Sequence, residues 1–250
     1  MIKKEKPKRF GLLGKNIDYS FSRNYFSKKF SDENLTNHSY VNFDLPSLED
    51  FEQILYNEPN LNGLNVTIPY KKEVIPFLDY ITEESKLIGA VNTIVWNDSG
   101  EIVGHNTDHT GFRIALTKHI ETIPKKALIL GTGGASAAVR YALESLNCKV
   151  ILVSRTAKKN ELSYDDLDSK FIKNSQLIVN TTPLGTFPNL NEAPPIPYEY
   201  LNTNHLIFDL IYNPSETLFM KKGKQQGSKV INGYQMLVYQ AEKSWELWNQ

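Results

Sequence analysis

The 250-residue sequence has a single cysteine, Cys148. That excludes an internal disulfide framework and a cysteine-based zinc site. Its five histidines fall into no metal-ligand spacing. His105 and His109 are four apart, but the Asn-Thr-Asp between them reads as a helix start, so no metal is expected. A charge excess of either sign is also missing, since 28 Lys and Arg balance 28 Asp and Glu. Nothing therefore points to nucleic acid. The basic cluster of Lys3, Lys4, Lys6, Lys8 and Arg9 reads as a charged lead-in to a first strand. No apolar run is long enough to span a membrane, and no signal-peptide core follows Arg9. The expectation is a cytoplasmic protein without a membrane partner.

What is present suits a globular chain of one large domain or two modest ones: 40% hydrophobic and 22% charged residues. The first hundred residues alternate strand-like and helix-like stretches. Residues 10–13, 40–43, 61–68 and 90–96 read as strands, Gly63 weakening the third. Ser47 opens a helix carrying Leu48, Phe51, Ile54 and Leu55 at helical spacing, and Pro69 begins a loop and a helix through Val74 and Phe77. Asn97-Asp98-Ser99-Gly100 is a turn.

A second pattern starts near Asp108, with a helix through Phe112, Ala115 and Leu116. Strand 127–130, a glycine turn, an Ala-rich helix over 135–146 and strand 150–153 then open a doubly wound α/β domain. Later strands are 177–180, 206–210 and 230–231, and residues 234–248 form a long helix without Gly or Pro. The stretch from Arg155 to Asn180 is short for a full crossover, and one element there is expected to be shortened or irregular.

The turn itself is Gly131-Thr132-Gly133-Gly134-Ala135-Ser136. Its first glycine permits a tight bend, its second lets a pyrophosphate approach the backbone, and Ser136 is small enough for close packing. The strand before it and the helix after it are the context that makes this motif specific. NAD sites place a carboxylate at the end of the next strand; here that strand ends Ser154-Arg155-Thr156, with Lys158 and Lys159 behind. A guanidinium can meet a ribose 2′-phosphate, so NADP is preferred over the alternative of an exposed basic turn. Asn180-Thr181-Thr182-Pro183-Leu184-Gly185 closes another strand at its carboxyl end, where such sheets bind ligands; a plain Pro-Gly loop is the other reading.

Six motifs occur in one order: Asn65 to Lys71, Gly89 to Thr93, Asn106-Thr107-Asp108, the Gly131 turn, Ser154 to Thr156, and Asn232-Gly233 through to Gln240. Together, over nearly the whole chain, they resemble the shikimate dehydrogenase family, enzymes that reduce 3-dehydroshikimate to shikimate with NADPH. The resemblance implies Lys71 and Asp108 as catalytic residues. It implies Ser20, Ser22 and Tyr212 near the substrate carboxylate, Thr67, Asn92 and Gln240 on ring hydroxyls, and Asn65 in the same motif as Thr67. It also implies Leu210 and Gly233 beside the nicotinamide.

The residue types suit such chemistry, since a polyhydroxylated acid needs short donors and acceptors. Lys71 could stabilise a forming alkoxide and protonate it, and Asp108 could hold a hydroxyl and the lysine. Structural readings stay open: a solvated helix start for Lys71, a helix cap for Asp108 and a strand-end turn for Asn92.

The amino-terminal motif departs from the family, which has Pro, a His before the first serine and Pro after the second. This chain has Asn16, Tyr19 and Arg23, so the serine spacing is kept but a less rigid loop is expected. The resulting expectation is an α/β protein of two domains. Residues 1–107, completed by a returning carboxyl-terminal helix over 234–250, form the α/β substrate domain. Residues 108–233 form a doubly wound, Rossmann-type NADP domain. It would act on a small molecule as monomer or homodimer. Broader quinate/shikimate specificity and a non-catalytic NADP sensor are the alternatives.

Overall fold

A computed structural model describes residues 6–18 and 20–250; Tyr19, Lys3 and Lys4 lie outside them. The chain divides into two compact units, one of residues 1–107 with 241–250 and one of residues 108–240.

The first unit contains β1 (Lys8–Gly14), α1 (Phe21–Asp32), β2 (His38–Asp44), α2 (Phe51–Asn57) and β3 (Leu61–Val66). β4 (Tyr80–Ile81), α3 (Glu83–Ile88), β5 (Thr93–Trp96) and β6 (Ile102–His105) follow. Its sheet is mixed, in the order β2-β1-β3-β5-β6-β4. β1 lies parallel to both β2 and β3, which requires crossovers, and these carry α1 and α2. β5 and β6 form an antiparallel hairpin whose turn is held by Asn97, its Oδ1 accepting from the amides of Ser99 and Glu101 at 3.0 and 2.9 Å.

Two apolar clusters fill this unit. One includes Leu13, Phe51, Leu64, Val66, Val74 and Ile94. The other gathers Phe10, Phe26, Phe30 and Tyr40 with Ala241 and Trp248 of the last helix.

Local structure departs from the sequence reading in several places. The sequence reading assigns no element between Gly14 and Tyr40, and α1 runs twelve residues there. Its Phe26 and Phe30 are buried in the aromatic cluster, so packing supplies what a run rich in Ser and Lys lacks in periodicity. The expected helix through Val74 and Phe77 is a single 3-10 turn at Ile75–Phe77, where Pro76 donates no amide bond. β3 stops at Val66 rather than residue 68, and a 3-10 turn at Leu48–Asp50 precedes α2.

The second unit holds α4 (Asp108–Thr117), β7 (Lys126–Leu130), α5 (Gly134–Ser145), β8 (Lys149–Ser154) and β9 (Leu162–Ser163). α6 (Ser169–Lys173), β10 (Leu177–Asn180), β11 (Leu206–Asp209), α7 (Leu218–Gln225), β12 (Lys229–Ile231) and α8 (Tyr234–Trp248) complete the chain. All of its strand pairings are parallel, in the order β12-β11-β10-β7-β8-β9. This is the doubly wound Rossmann order, and it reverses between β7 and β10. β10 and β11 are buried at every residue, as strands covered on both faces must be. The crossover from β8 to β10 is indeed abbreviated: a two-residue strand, a 3-10 turn at Tyr164–Asp166 and the five-residue α6. α8 begins in this unit, with Met236 in its core, and its residues from 241 onward belong to the first unit.

Candidate functional site

In the first unit the expected substrate-side residues cluster where β1 and β3 end. Ser20 caps α1, its Oγ accepting from the Arg23 amide at 3.3 Å, and Ser22 is half-buried on the first turn. The loop before them lacks the family's prolines but is tied elsewhere. Asp44, at the end of β2, accepts from the amides of Asn16 at 2.8 Å and Ile17 at 3.0 Å. Asn42 Nδ2 donates to the Ile17 carbonyl at 2.7 Å, and Arg23 donates to the Asp18 carbonyl at 2.7 Å. These hydrogen bonds tie Asn16 and Ile17 to the end of β2 and Asp18 to α1.

Thr67 follows β3, its amide bonded to the Leu13 carbonyl at 2.9 Å. Four residues on, Lys71 is half-buried, and its carbonyl accepts from the Val91 amide at 2.7 Å. That bond fixes the lysine's backbone to the entry of β5. Asn92 is buried; its Oδ1 accepts from the Thr107 amide at 2.6 Å and its Nδ2 donates to Thr107 Oγ1 at 3.0 Å.

Asn65 is used internally. Its Nδ2 donates to Ser244 at 2.9 Å, with Thr93 and the Asn92 carbonyl each at 3.3 Å, while its Oδ1 accepts from the Tyr40 hydroxyl at 2.8 Å. Tyr40 also bonds Ser22, and burial pushes its phenol well above the usual range. Asn65 therefore sits in a buried polar network rather than presenting its amide outward.

In the second unit, Asp108 is the first residue of α4 and is buried, as is Gln240, whose Nε2 donates to the Leu237 carbonyl at 2.9 Å. Tyr212 follows β11 and is partly exposed; burial of its ring raises its phenol pKa.

The glycine turn lies at the carboxyl end of β7, beside the point where strand order reverses. Gly131 has φ of 109°, a conformation that favours glycine, and a Cβ there would meet Thr181 Oγ1 at 2.7 Å. Thr181 in turn bonds the Leu130 carbonyl through its hydroxyl at 2.7 Å, so the loops after β7 and β10 are locked side by side. Gly133 and Gly134 face open space, and α5 begins at Gly134, its N-cap Gly133 offering no side-chain cap. Ser136 donates to the Gly131 carbonyl at 2.8 Å, which closes the turn. Uncapped amides, an unobstructed approach and a helix dipole are what a pyrophosphate requires.

Arg155, Thr156 and Lys158 are exposed beyond β8, Ser154 is half-buried at its end, and no carboxylate occupies positions 154–160. Arg155 is near enough to Tyr164 to counter the rise that burial causes in that phenol's pKa. Gly233 packs against Leu210, since a Cβ there would collide with the Leu210 carbonyl. Pro183 is exposed on the loop after β10. These residues fit an NADP-type dinucleotide.

Several polar residues have no role assigned from the sequence, although Thr93 and Asn180 lie within motifs noted there. Tyr40, Thr93 and Ser244 complete the network around Asn65, and Asn180, Asp209 and Thr217 form another. For Asn180 and Asp209 there was a signal, a polar residue closing an otherwise apolar buried strand. For Ser244 there was none. Among the described residues no group of three or more His, Cys, Asp or Glu could hold a metal, and no helix is long and apolar enough to cross a membrane.

Comparison with known proteins agrees with this geometry. Residues 12–94 match the model of the shikimate dehydrogenase substrate binding domain. A curated NADP(+) shikimate dehydrogenase of Methanococcus aeolicus is 36% identical, covering 97% of this chain and 92% of its own. One from Carboxydothermus hydrogenoformans is 38% identical, over 95% and 90%. A solved shikimate dehydrogenase in complex with NADP+ superposes with a TM-score of 0.87 at 34% identity, covering 97% of this chain and 90% of its own. The Thermus thermophilus enzyme, solved with NADP(H) and shikimate, gives 0.83 at 30% identity, over 96% and 93%. A mixed substrate-domain sheet, an all-parallel Rossmann-like sheet and full-length identity concur, and the chain belongs to the shikimate dehydrogenase family.

Proposed function

We propose that the protein is an NADP-dependent shikimate dehydrogenase, interconverting 3-dehydroshikimate and shikimate in aromatic amino acid biosynthesis. The observation that carries this reading is the match to such enzymes over nearly the whole chain; Lys71 after β3 and the open glycine turn after β7 support it. Bound NADPH would supply the hydride that reduces the ring ketone. Gly131, Gly133, Gly134 and Ala135 would hold its pyrophosphate, and Ser154, Arg155, Thr156 and Lys158 its 2′-phosphate. Thr181, Thr182, Pro183, Leu210 and Gly233 would line its nicotinamide end.

Ser20, Ser22 and Tyr212 are assigned to the substrate carboxylate, and Thr67, Asn92 and Gln240 to its hydroxyls. Asn65 supports them from the buried network. As the carbonyl is reduced its oxygen gains negative charge, which the Lys71 ammonium stabilises before giving up a proton to it. Asp108 accepts a hydrogen bond from a ring hydroxyl. Because reduction consumes one proton and oxidation releases one, shikimate oxidation is favoured at mildly alkaline pH.

Steady-state kinetics of NADP-linked shikimate oxidation test the reading. Lys71→Ala is expected to lower kcat by about 10²- to 10⁴-fold with little change in KM. A parent protein that binds NADP but oxidises no shikimate would be a sensor instead. Equal turnover of quinate would mark a broader dehydrogenase.

A further inference from the structure

Asn180 and Asp209 are the last residues of adjacent parallel strands and stand opposite one another in register. Both side chains are fully buried, as is Thr217. The Asp209 carboxylate accepts from Asn180 Nδ2 at 3.0 Å, from the Ile211 amide at 3.1 Å and from the Thr217 hydroxyl at 2.6 Å. A carboxylate only accepts, so it dictates which way the Asn180 carboxamide faces, with Nδ2 toward the acid. The opposite end, Oδ1, accepts from the Thr182 amide at 3.0 Å and the Thr182 hydroxyl at 2.7 Å. That hydroxyl accepts in turn from the Leu184 amide at 3.3 Å, and the Asn180 carbonyl takes the Leu210 amide at 3.0 Å. One carboxylate thereby shapes two loops, residues 181–184 after β10 and residues 210–211 after β11. Burying an acid costs stability, so what this arrangement gains is orientation.

We propose that Asp209 is a positioning residue for the cofactor. Acting through Asn180, it holds Thr181, Thr182 and Leu210 in the geometry that NADP needs, without touching NADP itself. This rests on the reading of the chain as an NADP enzyme.

Fluorescence titration of the full chain with NADP, alongside KM for shikimate, tests it. Asp209→Ala is expected to raise the NADP Kd tenfold or more while KM for shikimate changes less than threefold. Asp209→Asn retains an acceptor for Asn180 and Ile211, and its Kd is expected within threefold of the parent. Should the alanine variant not fold, the nearly isosteric Thr217→Val removes one of the three donors and is expected to raise Kd three- to tenfold with the same split. An unchanged NADP Kd in either folded variant overturns the proposal, as does an equal loss toward shikimate or an asparagine that fails to rescue. A parent protein that binds no NADP overturns the functional reading instead.

Discussion

At the scale of single residues, Arg155 and Asp209 show how much one side chain can decide. Arg155 is exposed just past β8, where an NAD site would place a carboxylate. Hydrogen bonds to a charged group contribute roughly 1.5–3 kcal/mol. Arg155→Ala is therefore expected to raise KM for NADP by about 10- to 100-fold and leave KM for NAD nearly unchanged. Parallel loss for both cofactors in coupled assays would remove the guanidinium from 2′-phosphate recognition. Burial pushes the Asp209 carboxyl from 3.8 up to about 6, although Thr217, Ile211 and Asn180 donate to it and pull it back. A folded-state pKa above the unfolded one means stability is greatest while the acid is protonated. The cost of ionisation, about 3 kcal/mol when complete, is absent below pH 4, builds up to pH 6 and persists above it. Asp209→Asn is thus expected to melt higher than the parent at pH 8, with the gap closing near pH 4. A gap that does not vary with pH, measured in melts at pH 4, 6 and 8, would contradict this.

At the scale of elements, Gly63 reads in sequence as a weak point of β3, but the structure gives it a purpose. A Cβ at that position would collide with the Trp248 indole of α8, whose Nε1 donates to the Ile94 carbonyl at 3.0 Å. The glycine admits a close approach that pins the last helix to the first sheet. Gly63→Ala is expected to destabilise the protein by about 1–3 kcal/mol through overpacking. Urea denaturation measures this, and an unchanged midpoint would mean that the indole moves aside freely. The elements around the glycine turn were legible because β7, Gly131 and α5 are specified by neighbours in sequence. α1 was not, because its aromatic residues find their partners in β1, β2 and α8, far along the chain.

At the scale of the whole molecule, 28 basic and 28 acidic residues leave no net charge at pH 7. Solubility is expected to pass through a minimum near that pH and to recover by about pH 8.5, since a near-zero net charge favours association. Precipitation by polyethylene glycol across pH 6–9 checks it; a monotonic curve would count against it. The sequence by itself determined the α/β class, the dinucleotide turn and the family, because these rest on local periodicity and on motifs in a fixed order. The tertiary structure alone decided that Asn65 is consumed in a buried network and that Asp44 restrains the loop lacking prolines. It alone also placed Asp209 across from Asn180. The physical reason is common to all three. Each hydrogen bond is made with whatever the fold brings alongside, here partners 25 to 179 residues away, and no local pattern encodes that choice.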